Sequence, residues 1–284
     1  MLSAFRSFKL ASVTMLLLVL VTGCDKWKYF YPNGNKDKTI AQIVSANDDY
    51  KLLKVALVRT GLIDAVSKPG TLTVFAPDNK AFAAAGFPNA AAINNADVEV
   101  LKSILLYHVA GSKITASQIP VADNTPVTTL AAKDIFVTKK NNKVSVNGVP
   151  VVSADIIASN GVIHAISKVL IPPTGNIVEL AQANTNFTYL VAAVLRASQG
   201  STNVAAALSG AGPLTVFAPT NQAFINAGFP TIESINNADP ATLTSILTYH
   251  VVAARVFSSN LVNNAAVPTL NGGTVTIKLN GSAK

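Results

Sequence analysis

Hydrophobic positions along the chain follow a helical period first and a strand period afterwards, and the whole progression occurs twice. Tyr50, Leu53 and Leu57 fall on one side of a helix, and Phe187, Leu190 and Val194 do so again further on. Spacings of three and four residues place such side chains on one stripe, ready to face a core. A shorter capped helix precedes each of these. Thr39 with Gln42 has capping-box form, and Asn176 with Glu179 offers a similar start. Asp48 and Asp49 read as caps of the second helix. Residues 71–76 read as a buried strand stopped by Pro77, and Asp78 is placed to cap a short helical turn carrying Phe82. The clearest helix follows Asp97, with Leu101, Ile104, Leu105 and His108 at i, i+3, i+4 and i+7. Its counterpart follows Asp239, with Pro240 at the first helical position and Leu243, Ile246, Leu247 and His250 on the stripe.

Beyond these helices the period drops to two. Residues 135–138 and 144–146 read as the arms of a hairpin with a basic tip, Lys139, Lys140 and Lys143 around Asn141-Asn142. Asn160-Gly161 marks a tight turn between residues 155–157 and 162–171. Helices gathered early and strands late predict an α+β domain.

The duplication is explicit in the letters. The segment Thr73-Val-Phe-Ala-Pro77 through Tyr107-His108-Val109 recurs at an offset of 142, ending in Tyr249-His250-Val251. Residues 73–109 and 215–251 share 24 of 37 positions. A period this long predicts two tandem domains rather than a solenoid, whose repeats run about 20–50 residues. The segment TVFAP…N.AF, the Tyr-His pair after a helix, and the strand Asn160-Gly-Val-Ile-His164 leading to Val169-Leu-Ile-Pro172 together resemble the fasciclin-like (FAS1) domain family. That resemblance implies a wedge of short strands beside a group of small helices. It also implies extracellular binding in adhesion or matrix contact rather than catalysis, and in animal relatives it implicates the Tyr-His region in receptor contact.

The predicted layout is a leader over 1–23, a tether over 24–36, a first domain over 37–173 and a second over 174–284. At the same offset, the closing strand of the second domain is expected near 302–314, so that domain reads as incomplete by about thirty residues, as in a fragment or a truncated product. A strand donated by a partner chain is the second reading.

The start of the chain carries an address. Arg6 and Lys9 precede an apolar run over residues 10–21, which as a helix would span only about 18 Å of a roughly 30 Å hydrocarbon core. The run reads as a secretion leader. It ends in Val21-Thr22-Gly23-Cys24, which resembles the lipobox of bacterial lipoproteins. This predicts a lipidated Cys24 and a chain anchored in the bacterial cell envelope, at the outer membrane or cell surface. Cys24 is the only cysteine, so no intramolecular disulfide framework can form. The alternation Lys26-Trp-Lys-Tyr-Phe-Tyr31 suits a headgroup zone or a plain tether.

Charge changes the picture little. The net charge is +8, and it falls to +6 without Arg6 and Lys9. It is spread thinly, which argues against nucleic acid as a partner. Residues 174–284 carry four basic and three acidic side chains. A surface so poor in charge suits adhesion or self-association, because contact desolvates few ions.

No nucleophile elbow, phosphate loop or dinucleotide fingerprint occurs, and no cofactor is expected. The histidines are His108, His164 and His250, none with a second ligand at i+3 or i+4, so a core role is favoured over a metal or a base. The candidate binding residues are Tyr107, His108, Tyr249 and His250, with Lys139, Lys140 and Lys143 as a site for anionic glycan or headgroups. The expected function is a membrane-anchored adhesion lipoprotein, not an enzyme, contacting matrix, glycan or a surface protein. A carrier of a small apolar ligand in a helix–sheet cleft is the alternative. Replacing Cys24 by Ala should move the protein from the membrane to the soluble fraction on cell fractionation; unchanged partitioning would refute the anchor.

Overall fold

The computed structural model describes residues 37–279; the leader and the whole of the expected tether, Cys24 included, lie outside them. Repeat 1 runs α1 (Ile40–Ala46), α2 (Lys51–Arg59), β1 (Leu72–Pro77), α3 (Asn79–Ala84), α4 (Ala90–Asn95), α5 (Val98–Tyr107), β2 (Val109–Ala110), β3 (Thr125–Thr128), β4 (Asp134–Lys140), β5 (Lys143–Val146), β6 (Val149–Ala158) and β7 (Gly161–Ile166). The helix starts follow from the capping residues. Thr39 and Gln42 close a reciprocal box at α1, Asp78 accepts from the Ala81 N–H at α3, and Asp97 accepts from the Val100 N–H at α5. The expected caps at Asp48 and Asp49 are corrected. Asn47 caps a 3₁₀ turn over Asp48–Tyr50, while Asp48 forms an exposed ion pair with Lys51 at 3.1 Å. The chain turns before α2 begins, so the cap is needed one step earlier.

All seven strands of repeat 1 form one sheet in the order β2-β1-β7-β6-β5-β4-β3. Only β1 and β7 run parallel, over Leu72↔Gly161 to Pro77↔Ile166; the other pairs are antiparallel. A bridge between Ala110 and Thr129 brings the two sheet edges together and curls the sheet into a wedge. Successive side chains of a strand point to opposite faces, and β1 and β7 use both. Val74, Ala76, Ile163 and Ala165 pack into the helical core with Ile40, Leu53, Phe82 and Leu101. Phe75 and Ile166 pack into the wedge with Tyr107, Ile135, Val137 and Val146.

One polar side chain locks this arrangement. Asn160 is 1% exposed; its Oδ1 accepts from the Ile40 N–H at 2.9 Å, and its Nδ2 donates to the Val66 and Lys68 carbonyls at 2.9 and 2.8 Å. Beside it, the Ser159 N–H donates to the Lys38 carbonyl at 2.9 Å. Gly161 must be glycine, because a Cβ there would lie 2.1 Å from the Leu72 carbonyl oxygen.

Repeat 2 comprises α6 (Ile177–Gln182), α7 (Thr188–Ala197), α8 (Val204–Ser209), β8 (Thr215–Val216), α9 (Asn221–Asn226), α10 (Ile232–Asn236), α11 (Pro240–Tyr249), β9 (Val251–Val252), β10 (Ala266–Pro268) and β11 (Thr274–Thr276). Its helices enclose a core of Leu190, Val194, Phe224, Ile235, Leu243 and Leu247. The β8–β9 ladder pairs Thr215 with Val252 and Val216 with Val251, the same register as Thr73 with Ala110 and Val74 with Val109. Among the described residues, nothing pairs with the other edge of β8. No helix among them is long and apolar enough to cross a membrane.

Substituting Asn160 by Ala leaves the Ile40 N–H and the Lys68 carbonyl without partners, and the Val66 carbonyl with only the Ala41 N–H at 3.2 Å, and should lower unfolding free energy by about 2–4 kcal/mol. Urea titration of the purified chain checks this; a loss within error would show that Asn160 is not a lock.

Candidate functional site

Tyr107 ends α5, His108 follows it, and both are 2% exposed. The Tyr107 hydroxyl donates to the Asp134 carbonyl and accepts from Asn147 Nδ2, each at 3.0 Å, which ties α5 to the strands. Burial raises its pKa, so the hydroxyl keeps its proton and remains a donor. His108 Nδ1 donates to the Ile104 carbonyl at 2.8 Å, and its Nε2 accepts from the Leu170 N–H at 2.9 Å. A ring that donates at one nitrogen and accepts at the other is neutral. Burial pushes its pKa down from 6.5 to about 4, against the opposing pull of the Ile104 carbonyl. With both nitrogens engaged inside the core, His108 offers no surface contact.

His164 follows the same logic on β7. It stacks on Phe75 with ring centroids 5.5 Å apart, its Nε2 donates to the Ile114 carbonyl at 2.8 Å, and its Nδ1 accepts from the Asp155 N–H at 3.3 Å. Burial holds its pKa down as well.

The duplicated pair in repeat 2 sits in different surroundings. Tyr249 is 39% exposed, donates to the Thr274 carbonyl at 2.8 Å, and meets the His250 ring edge-on at 6.2 Å. His250 repeats the Nδ1 bond, to the Ile246 carbonyl at 2.8 Å. Its Nε2 has no partner among the described residues, and His250 is among the residues that line an apolar cavity of about 90 Å³, with Val178, Leu190, Val216 and Leu247. The accessible member of the duplicated motif is therefore the second.

The lysines do not form a free basic tip. Asn141 and Asn142 make the turn with φ of 48° and 62°, a conformation asparagine tolerates well. Lys139 Nζ donates to the Ala116 and Ile119 carbonyls at 2.7 and 3.2 Å, and Lys140 pairs with Asp123 at 2.6 Å. Lys143 alone of the three stands exposed without such a bond among the described residues. The described residues bring no three His, Cys, Asp or Glu side chains together, and the lysine hairpin meets the first Tyr-His pair at its base, through the bonds of Tyr107 to Asp134 and Asn147, rather than at its lysines.

The fasciclin domain model matches residues 48–172 and again 185–284. The chain belongs to the fasciclin domain family. A Synechocystis relative, protein sll1483, is 40% identical over 137 residues, covering 48% of this chain and 74% of its own. The transforming growth factor-beta-induced protein ig-h3 of Sus scrofa is 27% identical over 221 residues, covering 75% of this chain but only 30% of its own. Human periostin is 29% identical over 143 residues, 50% of this chain and 16% of its own. The chain thus spans less than a third of these animal relatives. A solved FAS1 domain pair from the insect cell adhesion molecule fasciclin I aligns over 82% of this chain and 85% of its own, at 16% identity and a TM-score of 0.37.

The seam between the two fasciclin repeats escapes sequence reasoning. Arg255 places its guanidinium 3.4 Å from the centroid of the Phe136 ring, and Phe257 lies 6.5 Å from the same ring. Asn124 Nδ2 donates to the Arg255 carbonyl at 2.7 Å, and Asn260 Nδ2 donates to Asp123 Oδ1 at 3.0 Å. The available hint was scarcity: Arg196 and Arg255 are the only arginines of repeat 2, and both are spent on structure, Arg196 donating to the Ala238 carbonyl at 2.9 Å.

The depressed His108 pKa makes stability depend on pH. The unfolded imidazole binds a proton near 6.5 and the folded one only near 4, so the unfolded state holds more protons in between. Stability is full above pH 6.5 and should decline as pH falls toward 4, by about 3 kcal/mol for this group. Denaturant titrations of the wild type and His108→Gln at pH 7.5, 5.5 and 4.5 check it; an undiminished slope in the variant would refute the assignment.

Proposed function

We propose that this chain is a binding module of adhesion or matrix contact, held at a bacterial cell surface through lipidated Cys24 and acting without catalysis. The observation that carries the reading is the duplicated fasciclin domain, matched in both halves, because adhesion and matrix contact are the work of that family. The local chemistry is in keeping with it. The candidate histidines, acids and lysines mostly hold helix ends, strands and loops in place, as His108, Asp97, Asp239 and Lys139 illustrate. Contact with glycan, matrix or a surface protein then falls to uncharged surface, and Tyr249 is the exposed aromatic at the family's Tyr-His position. Aromatic rings with a polar tip offer large contact area at little entropy cost, as binding surfaces favour.

The apolar cavity beside His250 supports a second reading, carriage of a small apolar ligand. Native mass spectrometry of freshly purified protein distinguishes it by an added ligand mass.

The binding reading is tested on an array of glycans and matrix proteins with the complete chain. A specific ligand should be retained, and Tyr249→Ala should weaken it about tenfold or more, the loss of one aromatic anchor, with the circular dichroism spectrum unchanged. Failure to bind any arrayed surface, or indifference to Tyr249→Ala, would count against it.

A further inference from the structure

In repeat 1, the loop over residues 112–119 is anchored to the rest of its domain by side chains. The Thr73 hydroxyl donates to the Ser112 carbonyl at 2.6 Å and accepts from the Ile114 N–H at 2.8 Å. His164 Nε2 donates to the Ile114 carbonyl, and Asp155 Oδ1 accepts from the Ala116 N–H, both at 2.8 Å. Lys139 Nζ holds the Ala116 and Ile119 carbonyls. These anchors seat Ile119, 4% exposed, in the wedge core.

The corresponding loop of repeat 2 carries the seam. Thr215 repeats the first clamp, donating to the Ala254 carbonyl at 2.6 Å and accepting from the Val256 N–H at 2.9 Å. Arg255, Phe257 and Asn260 then reach repeat 1. In this chain, therefore, the loop is the part of a repeat that meets a neighbouring domain.

Asp155 is the pivot of the anchoring in repeat 1. It sits where the β6–β7 register shifts, with φ of 57°, a left-handed conformation that aspartate adopts more readily than most residues. There its N–H donates to His164 Nδ1 at 3.3 Å while its carboxylate holds Ala116. The ring accepts at Nδ1 only while it is neutral. A proton on Nδ1 sets one N–H against another and offers the Asp155 carboxylate a charged donor, stronger than the Ala116 amide. Among the neighbours of the ring, Phe75 of β1 stacks on it and does not titrate. Tyr107, in the same wedge core, is bonded to Asp134 and Asn147. Lys113 adjoins Ile114 in the loop, and Lys139 of β4 is engaged with the loop carbonyls. Asp155 supplies the charge that acts on the ring.

We infer that His164 and Asp155 form an acid-sensitive latch: protonation of His164 draws the Asp155 carboxylate off Ala116 and frees residues 115–119 while the sheet stays folded. Burial holds the closed ring's pKa below its ordinary value of 6.5, so the open loop binds the proton more tightly. The closed form is thus fully favoured above pH 6.5 and loses ground as pH falls toward the closed value.

The inference stands independently of adhesion, and all the groups it invokes lie in repeat 1. Amide exchange of the complete chain is measured at pH 7.5 and 5.5 and corrected for the intrinsic effect of pH. Protection at Ala116 and Gln118 should fall about threefold or more on acidification. It should stay below that of Ile163, in the middle of the sheet, at both pH values, the mark of a local opening. The His164 ring, followed by NMR, should titrate with the same midpoint as the loop. Asp155→Gly keeps the backbone conformation and should open Gln118 already at pH 7.5, with the circular dichroism spectrum unchanged. Protection at Gln118 that ignores pH, that equals the protection of Ile163 throughout, or that survives Asp155→Gly would overturn the latch. So would a His164 midpoint apart from that of the loop.

Discussion

The parallel ladder between β1 and β7 is the constraint on which repeat 1 depends. It joins residues nearly ninety positions apart in the chain, from Leu72 with Gly161 to Pro77 with Ile166, and it separates two cores that would otherwise lack a wall. Both strands are buried on both faces, so their alternate side chains serve the helices and the wedge at once. A shift of one residue would send every side chain to the wrong core. Register is held at the open end by Asn160, whose single amide satisfies the start of α1 and two loop carbonyls. The absence of a Cβ at Gly161 lets the strands approach there.

Around that ladder, polar side chains act as fasteners. The imidazoles of His108 and His164 each join two backbone groups from different segments, and each can do so only as a neutral ring with a fixed tautomer. Tyr107 does the same between α5 and the strands. Such groups are well suited to specify one packing, because a buried polar atom tolerates few alternative neighbours. The Tyr-His motif of the family is, in repeat 1, part of the framework. Repeat 2 keeps the residues and the first hydrogen bond of the histidine but leaves the tyrosine at the surface.

Much of this was legible in the letters, for local reasons. Asp78, Asp97 and Asp239 announce their helices because a cap acts within three residues. The stripe of Leu101, Ile104 and Leu105 announces burial because a helix repeats every 3.6 residues. The second helix was misassigned at its start because Asn47, Asp48 and Asp49 are all good caps and only the backbone path chooses among them. The lysine hairpin was legible as a hairpin but not as a used surface. Asp123, Ala116 and Ile119 reach Lys139 and Lys140 only through tertiary folding. The Arg255–Phe136 seam was invisible for the same reason, since it joins residues of different repeats with no periodicity to link them.

The hydrogen bond from Ser159 to Lys38 sits beside the one from Ile40 to Asn160, so the first described turn of the chain is fastened to the tip of the β6–β7 hairpin. Tension applied upstream of Lys38 therefore does not peel α1 from one end while the sheet stays slack. It loads the hairpin turn first, and through it the two strands at the centre of the domain. A module built this way meets a pull with its most deeply buried backbone rather than with a frayed terminus.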